Sequence, residues 1–280
     1  MKTQKTVALV ESAVLIALAT VLSLLKLADL PAGGSVTFAS MLPIVLISYR
    51  HGCRRGLLAG TVYGVLQQLL GLRTLSYVTG FYSVLAVILL DYVIAFAVLG
   101  LGGIFRKTRM SQSLALVCGA GFSSVLRYIC HVLSGATVWA GLSIPTEAAL
   151  IGSIAYNATY MIPETLILVL VLFYISEAMD FSSRTPKRIT KKHTRSVGAF
   201  CAVLSGGVVL LGACVYAVIA IFSALQISGT FSVSGFSAVP WLWVLLSVFL
   251  GLAVFGASVY IASRLDGQKH QAAKSADDLR

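Results

Sequence analysis

The chain has 280 residues, of which 58% are hydrophobic and only 11% charged, with a formal net charge of +11. A soluble domain of this length carries roughly a quarter charged residues, and its single core could not hide so much apolar side chain. The balance excludes a soluble enzyme, a nucleic-acid-binding module and a disordered chain, and predicts an all-α integral membrane protein in a lipid bilayer.

A helix needs roughly 20 mainly apolar residues to cross the hydrocarbon core. Such runs fall at 7–28, 36–49, 56–70, 81–105, 113–140, 148–179, 197–225 and 241–263, eight candidates in all. The second and third are short, and each suits a re-entrant or partly buried segment as well as a span. The first follows Lys2 and Lys5. It is too long for a signal peptide and no small-residue cleavage site follows, so it is read as a retained helix. Residues 1–180 therefore make a six-helix block, 181–196 a basic linker, 197–264 a transmembrane hairpin and 265–280 a tail. The hairpin holds no acidic or basic residue between Gly198 and Ala262, and its small residues suit close helix packing.

Charge placement orients the chain. With both termini cytoplasmic, 18 of the 21 Lys and Arg fall on that side, in segments 2–5, 50–55, 106–109, 184–195 and 264–280. Among the opposite loops only Arg73 is basic. This asymmetry is the positive-inside pattern of a multi-pass plasma-membrane protein. The five cysteines form no CxxC pair and read as reduced small hydrophobes. No metal site or resident cofactor is expected. Neither a GxxxxGK[ST] phosphate loop nor an HExxH or GxSxG motif occurs, so the chain is read as a non-enzyme that would depend on another chain for ATP hydrolysis.

Charged groups inside hydrocarbon are costly and mark function. In the six-helix block these are Glu11, Asp91, Arg127, His131 and Glu164, joined by Asn157, Tyr156 and Tyr160. At about 1.5 Å rise per residue, Asp91, His131 and Asn157 come to similar heights in the outer half of the bilayer. Arg127, His131, Gly135 and Trp139 recur every four residues, along one helix face. Such a set suits a flat heteroaromatic cation, with aromatic faces for the ring and a carboxylate for the charge or an exocyclic amine. Arg127 is expected in a structural ion pair, for which Asp91 is the nearest acid considered. Glu164, next to Pro163, is expected to be structural.

The run Gly34-Ser35-Val36-Thr37-Phe38-Ala39-Ser40-Met41-Leu42-Pro43-Ile44 is followed by Tyr49-Arg50-His51-Gly52 and Gly56-Leu57-Leu58-Ala59-Gly60. Leu90-Asp91-Tyr92, Arg127-Tyr128 with His131 and Gly135, and Tyr156-Asn157 with Tyr160 and Pro163-Glu164 continue the pattern. In order and spacing these residues resemble the thiamine-specific substrate-binding subunit (S component) of energy-coupling factor transporters, over roughly the first 180 residues. The resemblance implies an S-component-like bundle that captures thiamine, or a related pyrimidine or thiazole compound, from outside a bacterial cell membrane. Its partners would be a transmembrane coupling subunit and two cytoplasmic ATPases. It assigns substrate contacts to Asp91, Tyr92, His131, Gly135, Trp139 and Asn157, with Tyr156 beside them. It also assigns coupling-subunit docking to Ala13 and Ala17 on helix one. The loop from Ala28 to Gly34 lacks the aromatic lid residue many members carry, and Tyr82 or Tyr77 is expected to replace it. The rival reading is a proton-coupled secondary transporter, with Asp91, Arg127 and Glu164 relaying protons.

Overall fold

The computed structural model describes residues 2–30, 34–78, 80–138, 146–183, 185–189, 197–227, 230–231 and 237–278. The protein is an all-α membrane protein, and six of its described helices are long and apolar enough to cross a bilayer. Its first helix, α1, spans Lys2–Leu24. It ends four residues before the predicted limit, because Lys26–Asp29 pairs antiparallel with Ser35–Thr37 as a two-stranded ribbon (β1 and β2). The chain then turns into α2, Leu42–His51, opened by Pro43 in its first turn, where the missing proline N–H costs nothing.

The short second run resolves as an interior helix. At 10 residues α2 is about 15 Å long, half a bilayer, and every residue from Leu42 to Arg50 is buried. Met41, Ile44, Val45 and Ile47 form the centre of the core with Leu99, Leu116, Leu168 and Leu172. The third run is α3, Cys53–Leu70. Its Arg54, Arg55, Gln67 and Gln68 keep it outside the set of strongly apolar spans.

Gly52 joins α2 to α3 at φ +90°, ψ 159°, a region only glycine occupies without strain, and an added Cβ there meets open space. Gly52→Ala is therefore expected to cost about 1–3 kcal/mol from the backbone alone, visible as a lowered unfolding midpoint in detergent.

Helix α4 occupies the helical segment Phe81–Lys107 and is irregular. A seven-residue π segment, Ile88–Ile94, carries Asp91 and Tyr92, and 3₁₀ turns follow at Val98–Leu101 and Ile104–Lys107. Its backbone lies almost against α3. A Cβ on Gly60 or Gly64 would come within 2.4 Å of the carbonyls of Phe96 or Tyr92, and one on Gly56 within 2.6 Å of that of Gly100. This i, i+4 glycine stripe lets two helices touch along their backbones and so fixes which way Asp91 points.

Helices α5 (Gln112–Thr137) and α6 (Glu147–Ala178) form an antiparallel pair. Ser111 caps the first by accepting from the Leu114 N–H at 3.3 Å, and Thr146 caps the second by accepting from Ala149 at 3.1 Å. Helix α7, Val197–Leu225, packs on α6, with Gly207 seated against Leu170. Helix α8 runs as Trp241–Asp278, so the predicted tail continues the helix instead of leaving it. Gly206 against Ser258 and Gly251 against Leu210 and Ala213 bring α7 and α8 close, whereas Gly212 and Gly256 face open space.

Lys5, Arg50, Arg55 and Arg106 gather at one end of the bundle. There Arg50 donates to both carboxylate oxygens of Glu11, with Nη2 at 3.0 Å from Oε2, and to the carbonyls of Phe181 at 3.0 Å and Ser183 at 3.2 Å. One side chain thus ties α1, α2 and the segment after α6 together.

Candidate functional site

Two polar clusters lie between α4, α5 and α6. In the first, Asp91 Oδ1 stands 2.9 Å from His131 Nδ1, and Ser134 Oγ donates to Asp91 Oδ2 at 2.7 Å. With the carboxylate accepting, Nδ1 is the donating nitrogen, which leaves Nε2 as the ring's second hydrogen-bonding position. That Nε2 is buried and meets no hydrogen-bond partner among the described residues. Tyr160 packs edge-on against the imidazole, ring centroids 6.0 Å apart, and Tyr156 stands edge-on to Tyr160 at the same separation.

Asn157 underlies this pair. Its amide donates to the Ser153 carbonyl at 2.8 Å and the His131 carbonyl at 3.3 Å, and its Oδ1 accepts from the Tyr160 hydroxyl at 2.6 Å. Asn157 is thereby engaged on both sides, holding the backbone of His131 and the ring of Tyr160. The Tyr156 hydroxyl accepts from the Gly34 N–H at 3.1 Å, which fastens the end of the β1–β2 connection to α6.

The second cluster lies one turn along α5. Arg127 Nη1 is 2.9 Å from Glu164 Oε2, with side-chain exposures of 8% and 2%. The guanidinium sits 4.4 Å over the Phe96 ring and contacts Met41 Sδ at 3.0 Å. The Thr37 hydroxyl donates to Glu164 Oε1 at 2.5 Å and shares a 2.7 Å hydrogen bond with the Ser40 hydroxyl. The expected structural pair therefore forms with Glu164 and not with Asp91. The register explains it: Gly135 lies against Ser153 and His131 against Asn157, so Arg127 falls level with Met161, within reach of the Glu164 carboxylate. Asp91 is taken by His131 and Ser134.

Five sequence-predicted residues need correction or qualification. Gly135 is not an open patch, since a Cβ there would meet Ser153 Oγ at 2.3 Å; the glycine is used for the α5–α6 approach. Tyr82 is 75% exposed with its ring against Phe81. The Tyr92 ring stacks beside Phe96, centroids 6.5 Å apart, with its hydroxyl toward Gly71 of the α3 end, so it faces α3 and not the imidazole. Trp139 lies outside the described residues, as does the side chain of Tyr77. Ala13 and Ala17 are exposed on α1 beside Val10, Val14 and Val21. Ser134, Thr37 and Ser40 were missed. Ser134 was within reach of a spacing argument, standing three residues after His131. No group of three or more metal-ligating side chains occurs among the described residues.

Two comparisons bear on what this constellation serves. The family model described as thiamine transporter protein matches residues 9–181. The chain belongs to the thiamine transporter protein family. It is also 34% identical over 182 residues, 61% of this chain and 91% of the relative, to the thiamine transporter ThiT of Bacillus subtilis (strain 168). The thiamine transporter match spans α1 to α6 and both polar clusters, and it stops before α7. Membership places the chain in a transporter family, not an enzyme family. The matched stretch contains Asp91 and His131, and the α7–α8 hairpin lies outside it.

Proposed function

We propose that this protein is the high-affinity substrate-binding subunit of an ATP-driven thiamine importer in a bacterial plasma membrane. The end bearing Arg50, Arg55 and Arg106 faces the cytoplasm with both termini, and ligand enters at the opposite end. The observation that carries the reading is the Asp91–His131 pair, a carboxylate and an imidazole held 2.9 Å apart within an apolar bundle. The imidazole's second nitrogen is buried and awaits a donor. Thiamine offers an aminopyrimidine donor for that nitrogen and a thiazolium cation for the field of Asp91. A buried acceptor left unpaired costs about 1–3 kcal/mol, which a ligand N–H recovers on binding. Asn157, Ser134 and Tyr160 serve by holding the pair in place.

Bond-making plays no part: binding in the outer half is followed by reorientation, driven by two ATPases acting through a coupling subunit. The docking surface is the α1 face of Ala13 and Ala17, where small side chains four residues apart let a partner helix approach closely. Ala13→Leu combined with Ala17→Leu is expected to abolish ATP-driven uptake into proteoliposomes containing the coupling subunit and ATPases. Uptake by this chain alone, collapsing on addition of an uncoupler, would instead establish a proton-coupled carrier. The engagement of Glu164 by both Arg127 and Thr37 speaks against that relay.

A further inference from the structure

The basic end of the molecule holds a cavity of about 430 Å³, sharing no residue with the Asp91–His131 cluster. It opens between the first turns of α1, the α2–α3 corner, the end of α4 and the segment after α6, and is lined by Lys5, Arg50, His51, Arg55, Arg106 and Ser182 among others. Arg50 forms a fixed wall, with 4% side-chain exposure, held by Glu11 and two backbone carbonyls. Lys5, Arg55 and Arg106 are exposed, and no described carboxylate lies within ion-pair distance of them. Glu11 is already committed to Arg50 and lies 3.1 Å from His51 Nε2. Three cations from three separate segments thus converge on one concavity, and among the described residues no carboxylate pairs with any of them.

We propose that this cavity binds a phosphate oxyanion, presented by an anionic lipid headgroup or by a soluble phosphate. Guanidinium groups match phosphate oxygens two at a time and ammonium adds a point charge. The volume suits a headgroup-sized ligand. An apolar strip leads away from it, because Val7 lines the cavity at 44% exposure and Val10 and Val14 continue outward along α1 at 57% and 62%. A glycerophospholipid would place its phosphate among Lys5, Arg55 and Arg106 and lay an acyl chain along that strip, which continues into the Ala13–Ala17 face, so lipid and coupling subunit would exchange there. An acidic protein segment would find cations but no such use for the strip.

The full chain in detergent is titrated separately with phosphatidylglycerol and phosphatidylcholine by native mass spectrometry, and with inorganic phosphate by phosphorus NMR line broadening. Phosphatidylglycerol is expected to bind at least tenfold more tightly to the wild type than to R55Q/R106Q. The control R54Q/K107Q, which removes equal charge from exposed neighbours outside the cavity lining, is expected to bind like the wild type. Binding of inorganic phosphate that R55Q/R106Q loses, with no preference between the two lipids, would assign the site to a soluble phosphate. Lys5→Gln carries the comparison if R55Q/R106Q fails to fold. Equal losses in cavity and control variants, or no binding of either source, would overturn the proposal. Failure of R55Q/R106Q to assemble with the coupling subunit, without any phosphate binding by the wild type, would overturn it too and give the cavity to an acidic partner segment.

Discussion

Glu164→Ala is expected to destabilise the protein by about 3–5 kcal/mol, because it strands the Arg127 guanidinium inside the bundle. The carboxylate it removes answers Arg127 on one oxygen and Thr37 on the other, with 2% of its side chain exposed. Arg127→Met alone is expected to cost a similar amount by leaving the acid uncompensated. The paired change Arg127→Met with Glu164→Met should recover most of the loss, since replacing both members of a buried pair with apolar residues is often close to neutral. Unfolding midpoints in detergent for the two single variants and the pair settle the matter. Additive losses in the pair would mean that the two residues act separately.

The second large effect concerns ligand. Asp91→Ala and His131→Ala are each expected to weaken thiamine binding at least tenfold, a loss of about 1.4 kcal/mol or more. Asp91→Asn keeps the shape but removes the charge that fixes the imidazole tautomer, and is expected to fall between. Ser134→Ala, which removes a single 2.7 Å hydrogen bond to Asp91, should have the smallest effect. Calorimetric titration of purified variants with unaltered unfolding midpoints measures this directly. Unchanged affinity in Asp91→Ala and His131→Ala would remove the pair from the binding site.

Much of the architecture was legible because hydrocarbon imposes length and continuity on helices. The run at 81–105 and those from 113 onward stand out in the sequence for that reason alone. Helix α2 shows the limit. Buried inside the bundle, it is shielded from lipid by protein and is free of the length rule, so its ten residues looked like a defective span. The face carrying Arg127 and His131 followed from four-residue spacing, yet the partner of Arg127 did not. Choosing between Asp91 and Glu164 needs the α5–α6 register, and depth estimates good to a turn cannot supply it. The clue was present in two small residues, Gly135 and Ser153, whose contact sets that register. The glycine stripe of Gly56, Gly60 and Gly64 was equally visible and says that α4 must approach α3 at backbone distance. The direction of the Tyr92 ring was hidden, because the π segment breaks the arithmetic of 3.6 residues per turn.

That wide turn has a consequence for how the molecule can change. A π segment arises when a helix absorbs one surplus residue without sliding its flanks. Removing Leu89 would let the coil tighten to ordinary winding while the glycine seats at Tyr92, Phe96 and Gly100, all beyond the cut, hold Asp91 in place, so the swing of about 100° would fall on the segment before it, from Phe81 to Ile88. Elsewhere in the bundle a lost residue would throw a whole rod out of step. Here the first two turns of α4 can be turned by insertion or deletion while the acid keeps its seat, a change that a survey of side-chain replacements would never encounter.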